Sequence, residues 1–191
     1  MAIAPSASIL ALLALGLSQS APTSTAGDAC AALIPTALAA RIAADLPAYQ
    51  LPASSDAGEA RIKSLDVSGN WPCPFVVLGD FDGNGTLDRA LLLKPKQPGM
   101  ARLIGALNNN GQWQITLSEE WPLALSESEL APKDAGFYQR DEAIKQPTAQ
   151  LDQLASLQAE YALFSAGKLN GQYALYALIN GKWQKLTFID Q

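Results

Sequence analysis

The sequence predicts an α+β fold: antiparallel β-hairpins and meanders, preceded by an N-terminal helix and interrupted by one further helix before the C-terminal strands. Three observations predict it. Ile34, Leu38, Ile42 and Leu46 recur every four residues, which is one apolar stripe on a helix. Residues 75–119 hold four short apolar runs separated by turn chemistry. Near the C-terminus, Asn180-Gly181 separates two further apolar runs, a strong hairpin signal.

The first segment reads as an export signal. Residues 1–26 carry no charged side chain, and Ile9–Leu17 is a short apolar block followed by small and polar residues. The block is far shorter than the ~20 residues a membrane span needs. Small residues place cleavage after Ser20 or Ala26, although no Lys or Arg precedes the block. The expectation is a periplasmic or secreted protein whose mature chain, residues 28–191, is a single α+β domain with no membrane span. Cys30 lacks the Leu three positions before it that lipidation wants.

From Asp28, which can cap a helix, the apolar stripe runs to Pro47. Pro35 interrupts it and suits the first position of a second helix. Residues 48–58 read as a loop, and EARIKSLDV as a helical turn or two. FVVLGD, ALLLK, ARLIGAL and QWQITLSE then predict four consecutive antiparallel strands, the last two joined through NNNG. Residues 121–150 are polar and punctuated by Pro122, Pro132 and Pro147, with GFYQR as a short extended piece. Leu151, Leu154 and Leu157 mark a helix of about three turns from Thr148. YALFSAG, QYALYALI and KWQKLTFID return the chain to strands. NGQWQ (110–114) and NGKWQ (180–184) echo one another, and two hairpins sharing a common turn account for this.

Composition narrows the chemistry. The chain has 191 residues, about half of them apolar, with 18 acidic against 13 basic side chains, a net charge of −5. No basic run is present, which argues against nucleic acid or an anionic membrane as partner. There is no histidine. That removes Ser-His-Asp and Cys-His arrangements and zinc sites with histidine ligands. The two cysteines, Cys30 and Cys73, predict a disulfide in an oxidising compartment, the alternative being two separate buried thiols.

One stretch carries chemical content, GDFDGNGTLDRALLL at residues 79–93. From Asp80 it reads D-F-D-G-N-G-T-L-D. Oxygen-bearing side chains fall at alternating positions, Asp80, Asp82 and Asn84, and again at Asp88. Gly85 stands where a calcium loop turns sharply, and the carbonyl of Thr86 would add a further oxygen. Such a set suits a hard cation, which takes six to eight oxygens. Without one, three carboxylates this close repel each other. The last EF-hand position is Leu91 instead of the bidentate Glu, and the flanks are strands, so the loop is not that of an EF-hand sensor.

The stretch resembles the calcium loop of FG-GAP (VCBS-type) repeats, which run strand, D-x-[DN]-G-[DN]-G-x-x-D, strand in extracellular propeller blades. The resemblance spans residues ~75–115 and implies a structural Ca²⁺ held by Asp80, Asp82, Asn84, Thr86 and Asp88. A propeller needs several blades and the chain carries one clear copy, so one such unit within an α+β domain is expected.

Three classes of function follow. The first is an exported, calcium-binding, non-catalytic module with a protein or glycan partner, for which Trp71, Trp113, Trp121 and Trp183 are candidate contacts more readily explained as core. The second is a periplasmic or extracellular hydrolase using paired carboxylates such as Glu119 with Glu120 or Asp141 with Glu142. Adjacent residues on a strand face opposite ways, which argues against both pairs. The third is an enzyme inhibitor, which size and acidity permit.

Overall fold

Asp28 starts the fold. The computed structural model describes residues 28–59, 73–139, 156–168 and 171–188. The Asp28 carboxylate accepts the main-chain N–H groups of Cys30 (2.9 Å) and Ala31 (3.1 Å), capping helix α1 (Ala29–Ala32), and also that of Ser54 (2.9 Å). Pro35 then breaks the helix. It occupies the cap position of α2 (Thr36–Asp45), which holds Leu38 and Ile42 of the stripe, while Ile34 precedes the helix and Leu46 caps its end. A proline ring inside one continuous helix would clash with the preceding turn. Leu38 and Ile42 are fully buried, and Ile34 nearly so.

Strands follow in antiparallel order. β1 (Tyr49–Gln50), β2 (Val76–Gly79), β3 (Asp88–Pro95), β4 (Ala101–Asn109) and β5 (Gln112–Trp121) form one sheet in the order β1-β3-β4-β5, with β2 also paired to β3. The four strands expected between residues 75 and 119 are all present as a meander. In β3 the residues Ala90, Leu91, Leu92 and Leu93 are all buried, so both faces of this sheet are covered. One face carries Arg89 and Arg102, which reach Leu33 O (Nε, 2.8 Å) and the Tyr49 hydroxyl (Nη2, 3.2 Å) on the helical side. The other carries Glu119, which meets the second sheet.

The second sheet has the order β11-β10-β9-β6, from β6 (Ser128–Lys133), β9 (Leu163–Lys168), β10 (Tyr173–Ile179) and β11 (Lys182–Phe188). A two-stranded piece, β7 (Gly136–Gln139) with β8 (Ser156–Ala159), covers its outer face. Leu157, Ala159, Leu163, Leu175, Ala177 and Leu186 form the small apolar cluster beneath it. The main core lies between the two larger sheets and the helices. Phe81, Phe164 and Trp183 meet there edge to face or tilted, with centroids 5.6–5.8 Å apart. Such aromatic groups contribute beyond their buried area, on the order of 0.5–1.5 kcal/mol per pair.

Two expectations resolve in detail. Asn110 and Gly111, and again Asn180 and Gly181, adopt positive φ at the tips of the β4–β5 and β10–β11 hairpins, as a tight Asn-Gly turn requires. The echo between the two segments is a shared turn and no repeat. NGQWQ follows β4 in one sheet, and NGKWQ follows β10 in the other. Pro132 lies inside β6, which sits at the margin of its sheet, where a missing N–H is tolerated. GFYQ is extended, as expected.

The disulfide is present: Cys30 and Cys73 are bridged across 43 positions, and both are fully buried. The expected export segment at residues 1–26, the EARIKSLDV turn and Trp71 lie outside the described residues. The helix expected from Thr148 lies mostly outside them too. Its last stripe residue, Leu157, is in strand β8. Among the described residues, no helix is long and apolar enough to cross a membrane.

Candidate metal centre

The β2–β3 hairpin carries the acidic loop. Gly79 pairs with Asp88, so the loop is closed at its base by the ladder itself. Inside it, side chains replace the ladder as acceptors. Asp80 takes the N–H groups of Asn84 (Oδ1, 3.1 Å) and Gly85 (Oδ2, 2.9 Å). Asp82 Oδ1 takes the Asn84 N–H (3.1 Å), and Asn84 Oδ1 takes the Thr86 N–H (2.8 Å). The bonds of Asp82 and Asn84 are the two-residue bends that Asp and Asn make with their own backbone, while Asp80 reaches four and five residues on. Gly83 and Gly85 supply the left-handed conformation between them, with φ of 75° and 81°.

The sequence alternation then sorts the side chains. Phe81 points into the core against Phe164, while Asp80 and Asp82 flank it on the solvent side. Asp88, the first residue of β3, is fully buried. Its Oδ2 accepts the Phe81 N–H (2.8 Å) and its Oδ1 accepts the Asn108 N–H (2.7 Å). Carboxylate oxygens of Asp80, Asp82 and Asp88 lie within 4.8 Å of one another, a group that can hold a metal ion.

The three carboxylates repel one another. Two unit charges about 5 Å apart repel by about 3 kcal/mol at an effective dielectric of about 20. Among the described residues, no Lys or Arg forms an ion pair with any of the three aspartates. Arg89, next in sequence, turns its guanidinium to the carbonyls of Leu33, Leu87 and Asp88. Burial pushes the Asp88 carboxyl up to about 6, and the charges of Asp82 and Asp80 push the same way, against the two N–H bonds from Asn108 and Phe81. All the side-chain donor atoms are hard oxygens, which fits Ca²⁺ or Mg²⁺ chemistry and not soft-metal chemistry.

The other two expected ligands lie in the loop but are engaged differently. Asn84 Oδ1 accepts from both the Thr86 N–H and the Thr86 hydroxyl (2.6 Å), while its Nδ2 donates to Asp82 Oδ2 and to Asn108 O, each at 3.0 Å. The Thr86 hydroxyl, with its one proton, lies between Asn84 Oδ1 and Asn108 O and shares the proton between them. The structure thus brings three of the expected side chains to one point and ties Asn84 and Thr86 to Asn108.

Asn108 is the residue that sequence reasoning missed. Its N–H, carbonyl and side chain all serve the loop or the turn beyond it: Nδ2 donates to Leu87 O, and Oδ1 accepts the Gly111 N–H at 2.8 Å. The available signal was a run of three asparagines before a glycine, two more than the Asn110-Gly111 turn needs. Tyr161 was missed as well. Its ring lies against Gly83 so closely that a Cβ there would come within 2.3 Å.

The other sequence candidates do not converge. Glu119 faces the second sheet and pairs with Lys185 (3.1 Å), while the Glu120 side chain is 66% exposed near Arg102. Asp141 and Glu142 lie outside the described residues. Trp121 and Trp183 are packing residues, donating from Nε1 to Ser128 Oγ (2.9 Å) and Thr116 Oγ1 (3.0 Å). The Arg89 guanidinium stands 5.8 Å over the Trp113 ring.

No family model matches the chain, no curated protein matches it, and no solved structure matches it.

Proposed function

We propose that the loop from Asp80 to Asp88 binds one structural Ca²⁺ in an exported, non-catalytic binding or interaction protein. The observation that carries this is the convergence of three carboxylates, one of them buried, with no paired cationic side chain among the described residues. Asp80, Asp82 and Asp88 are the anionic ligands. The Asn84 side chain and the Thr86 carbonyl complete the set implied by the FG-GAP-type resemblance. Asn84 joins by releasing its oxygen from the two Thr86 donors. The ion's two positive charges offset two of the three negative ones and end the mutual repulsion of the carboxylates.

What these residues do by themselves is hold a hairpin bend against two partners, the Asn108 turn and the Tyr161 ring. Both cysteines are bridged, which suits the oxidising compartment to which an exported chain goes.

Calorimetric titration of the mature protein with Ca²⁺ tests the reading. Extracellular calcium modules bind at ~10⁻⁴ to 10⁻³ M. With a Kd of ~0.1 mM and ~1 mM free Ca²⁺, binding adds about 1.4 kcal/mol to stability. One saturable site and a higher melting temperature in Ca²⁺ are expected. Superimposable melting curves in Ca²⁺ and in EDTA overturn the assignment.

A further inference from the structure

Strand β5 runs from the acidic loop's partner turn to the opposite end of the two-sheet core. There, between its last residues and the ends of β9, β10 and β11, lies a cavity of about 340 Å³. That is within the range of small-molecule sites. Its walls include the aromatic side chains of Trp121, Tyr173 and Tyr176. Four charged side chains stand among them: Glu119 and Lys185, and the more exposed Glu120 and Lys168, which lie 3.8 Å from Arg102 and Glu127 respectively. Lys185 Nζ is 3.1 Å from Glu119 Oε1 and 5.2 Å over the Tyr176 ring, and the Tyr176 hydroxyl donates to the same Glu119 oxygen.

A further polar group is Thr187. It lines the cavity and is 7% exposed, and its hydroxyl has no hydrogen-bond partner among the described residues. Leaving a buried hydroxyl unsatisfied is costly. The hydroxyl oxygen itself has almost no exposed surface, so the side chain must turn about χ1 to meet a guest, and a guest that brings a polar atom to it then removes that cost.

The charges select the kind of guest. Glu119 and Lys185 already neutralise each other, so an ionic guest must break their pair in a largely apolar setting. A neutral guest with a donor and an acceptor on adjacent atoms leaves the pair intact: one hydroxyl donates to the carboxylate while its neighbour accepts from the ammonium. An apolar C–H face on the same guest packs on the walls at Trp121 and Tyr173, since the Tyr176 ring is covered by Phe164 and Lys185. From this combination we infer that the cavity binds a neutral, polyhydroxylated ring of single-hexose size, free or at the end of a glycan. The site is separate from the acidic loop and does not depend on a metal.

The test is titration of the mature protein, in EDTA, with glucose, galactose, mannose and N-acetylglucosamine and with their methyl glycosides, followed by saturation-transfer NMR and tryptophan fluorescence. Working in EDTA keeps failure here distinct from failure of the calcium reading. At least one hexose is expected to bind saturably at millimolar Kd. Thr187→Val, which keeps the side-chain shape, weakens it about tenfold, and so does Glu119→Gln, with folding checked by the melting temperature. Retention of binding by the glycoside assigns a glycan end, and its loss assigns a free sugar; both support the site. Three results overturn it: no saturation by any hexose up to about 50 mM, unchanged affinity in Thr187→Val and Glu119→Gln, or tighter binding of benzoate or benzylamine than of every hexose.

Discussion

Asp88 and Asn108 lie 20 positions apart and are joined by a 2.7 Å hydrogen bond from the Asn108 main-chain N–H to the Asp88 carboxylate. Through this bond the floor of the acidic loop and the tip of the β4–β5 hairpin are one unit. Asn108 also accepts from Asn84 and Thr86 on the loop's far side. Anything that changes the charge or position of Asp88 is therefore felt at both turns.

Asp82 gives the most direct test of the ion. Replacement by alanine removes one of three carboxylates and leaves the buried Asp88 in place. In ~1 mM Ca²⁺ the melting temperature should fall by about 3–6 °C, the equivalent of the lost binding energy in a domain of this size. Addition of EDTA should then change nothing further. Scanning calorimetry of both proteins with and without chelator checks this.

The pH response should have opposite signs with and without the ion. In EDTA the Asp88 carboxyl titrates near 6, above its ordinary 3.8. The folded state then holds its proton more tightly than the unfolded state. The resulting stabilisation is complete below about pH 4 and is lost as pH rises through 6, with a magnitude on the order of 2–3 kcal/mol. In Ca²⁺, protonation competes with the ion, so acidification from pH 7 to 5 weakens binding. The calcium-induced rise in melting temperature should shrink over that interval. Asp88→Asn, compared with the wild type in EDTA, isolates this group from Asp28. The Asp28 carboxyl is raised by burial but held below its usual value overall by hydrogen bonds from Ser54, Ala31 and Cys30, so it loses stability on acidification.

Gly83 and Gly85 separate two causes of strain. Both adopt positive φ, but only Gly83 faces a ring, that of Tyr161 at 2.3 Å from an added Cβ; nothing lies within 4 Å of Gly85. Gly85→Ala should cost about 1 kcal/mol, the backbone penalty alone. Gly83→Ala should cost about 2–3 kcal/mol, since overpacking adds to the same penalty. Tyr161→Ala in the Gly83→Ala background should recover the difference. Urea denaturation of the wild type, the two glycine variants, Tyr161→Ala and the double variant gives the comparison, and additive losses of Gly83→Ala and Tyr161→Ala would sink the steric account.

Reduction of Cys30–Cys73 frees a long loop. With 43 positions between the cysteines, the chain-entropy model assigns the bridge about 4 kcal/mol. Dithiothreitol in mild denaturant should lower the unfolding midpoint accordingly, and Cys30→Ala with Cys73→Ala should reproduce the reduced protein. An unchanged midpoint would show that the reduced chain keeps the same closure by packing alone.

The strands were legible for a physical reason. β3 and β4 are covered on both faces, so they read as unbroken apolar runs such as ALLLK, and their ends are marked by Asn-Gly or Pro-rich turns. The loop was legible because its geometry is local: ligand spacing and glycine positions are set within nine residues. Features created at a distance were not legible. β1 is two residues long and exists through its pairing with Lys94 and Pro95. β6 contains a proline that normally argues against a strand, and its marginal place in the sheet is visible only in three dimensions. Asn108 looked like turn chemistry because its long-range bonds use the main chain, which every residue type carries. Tyr161 gave no signal, since its contact depends on a side chain that Gly83 lacks.

Cys73 stands three residues before β2, the strand that feeds the acidic loop, while Cys30 sits in the first helix. A protease that cuts anywhere between them releases no fragment. The amino-terminal piece remains covalently attached to the remainder, and only a reducing gel would reveal the nick.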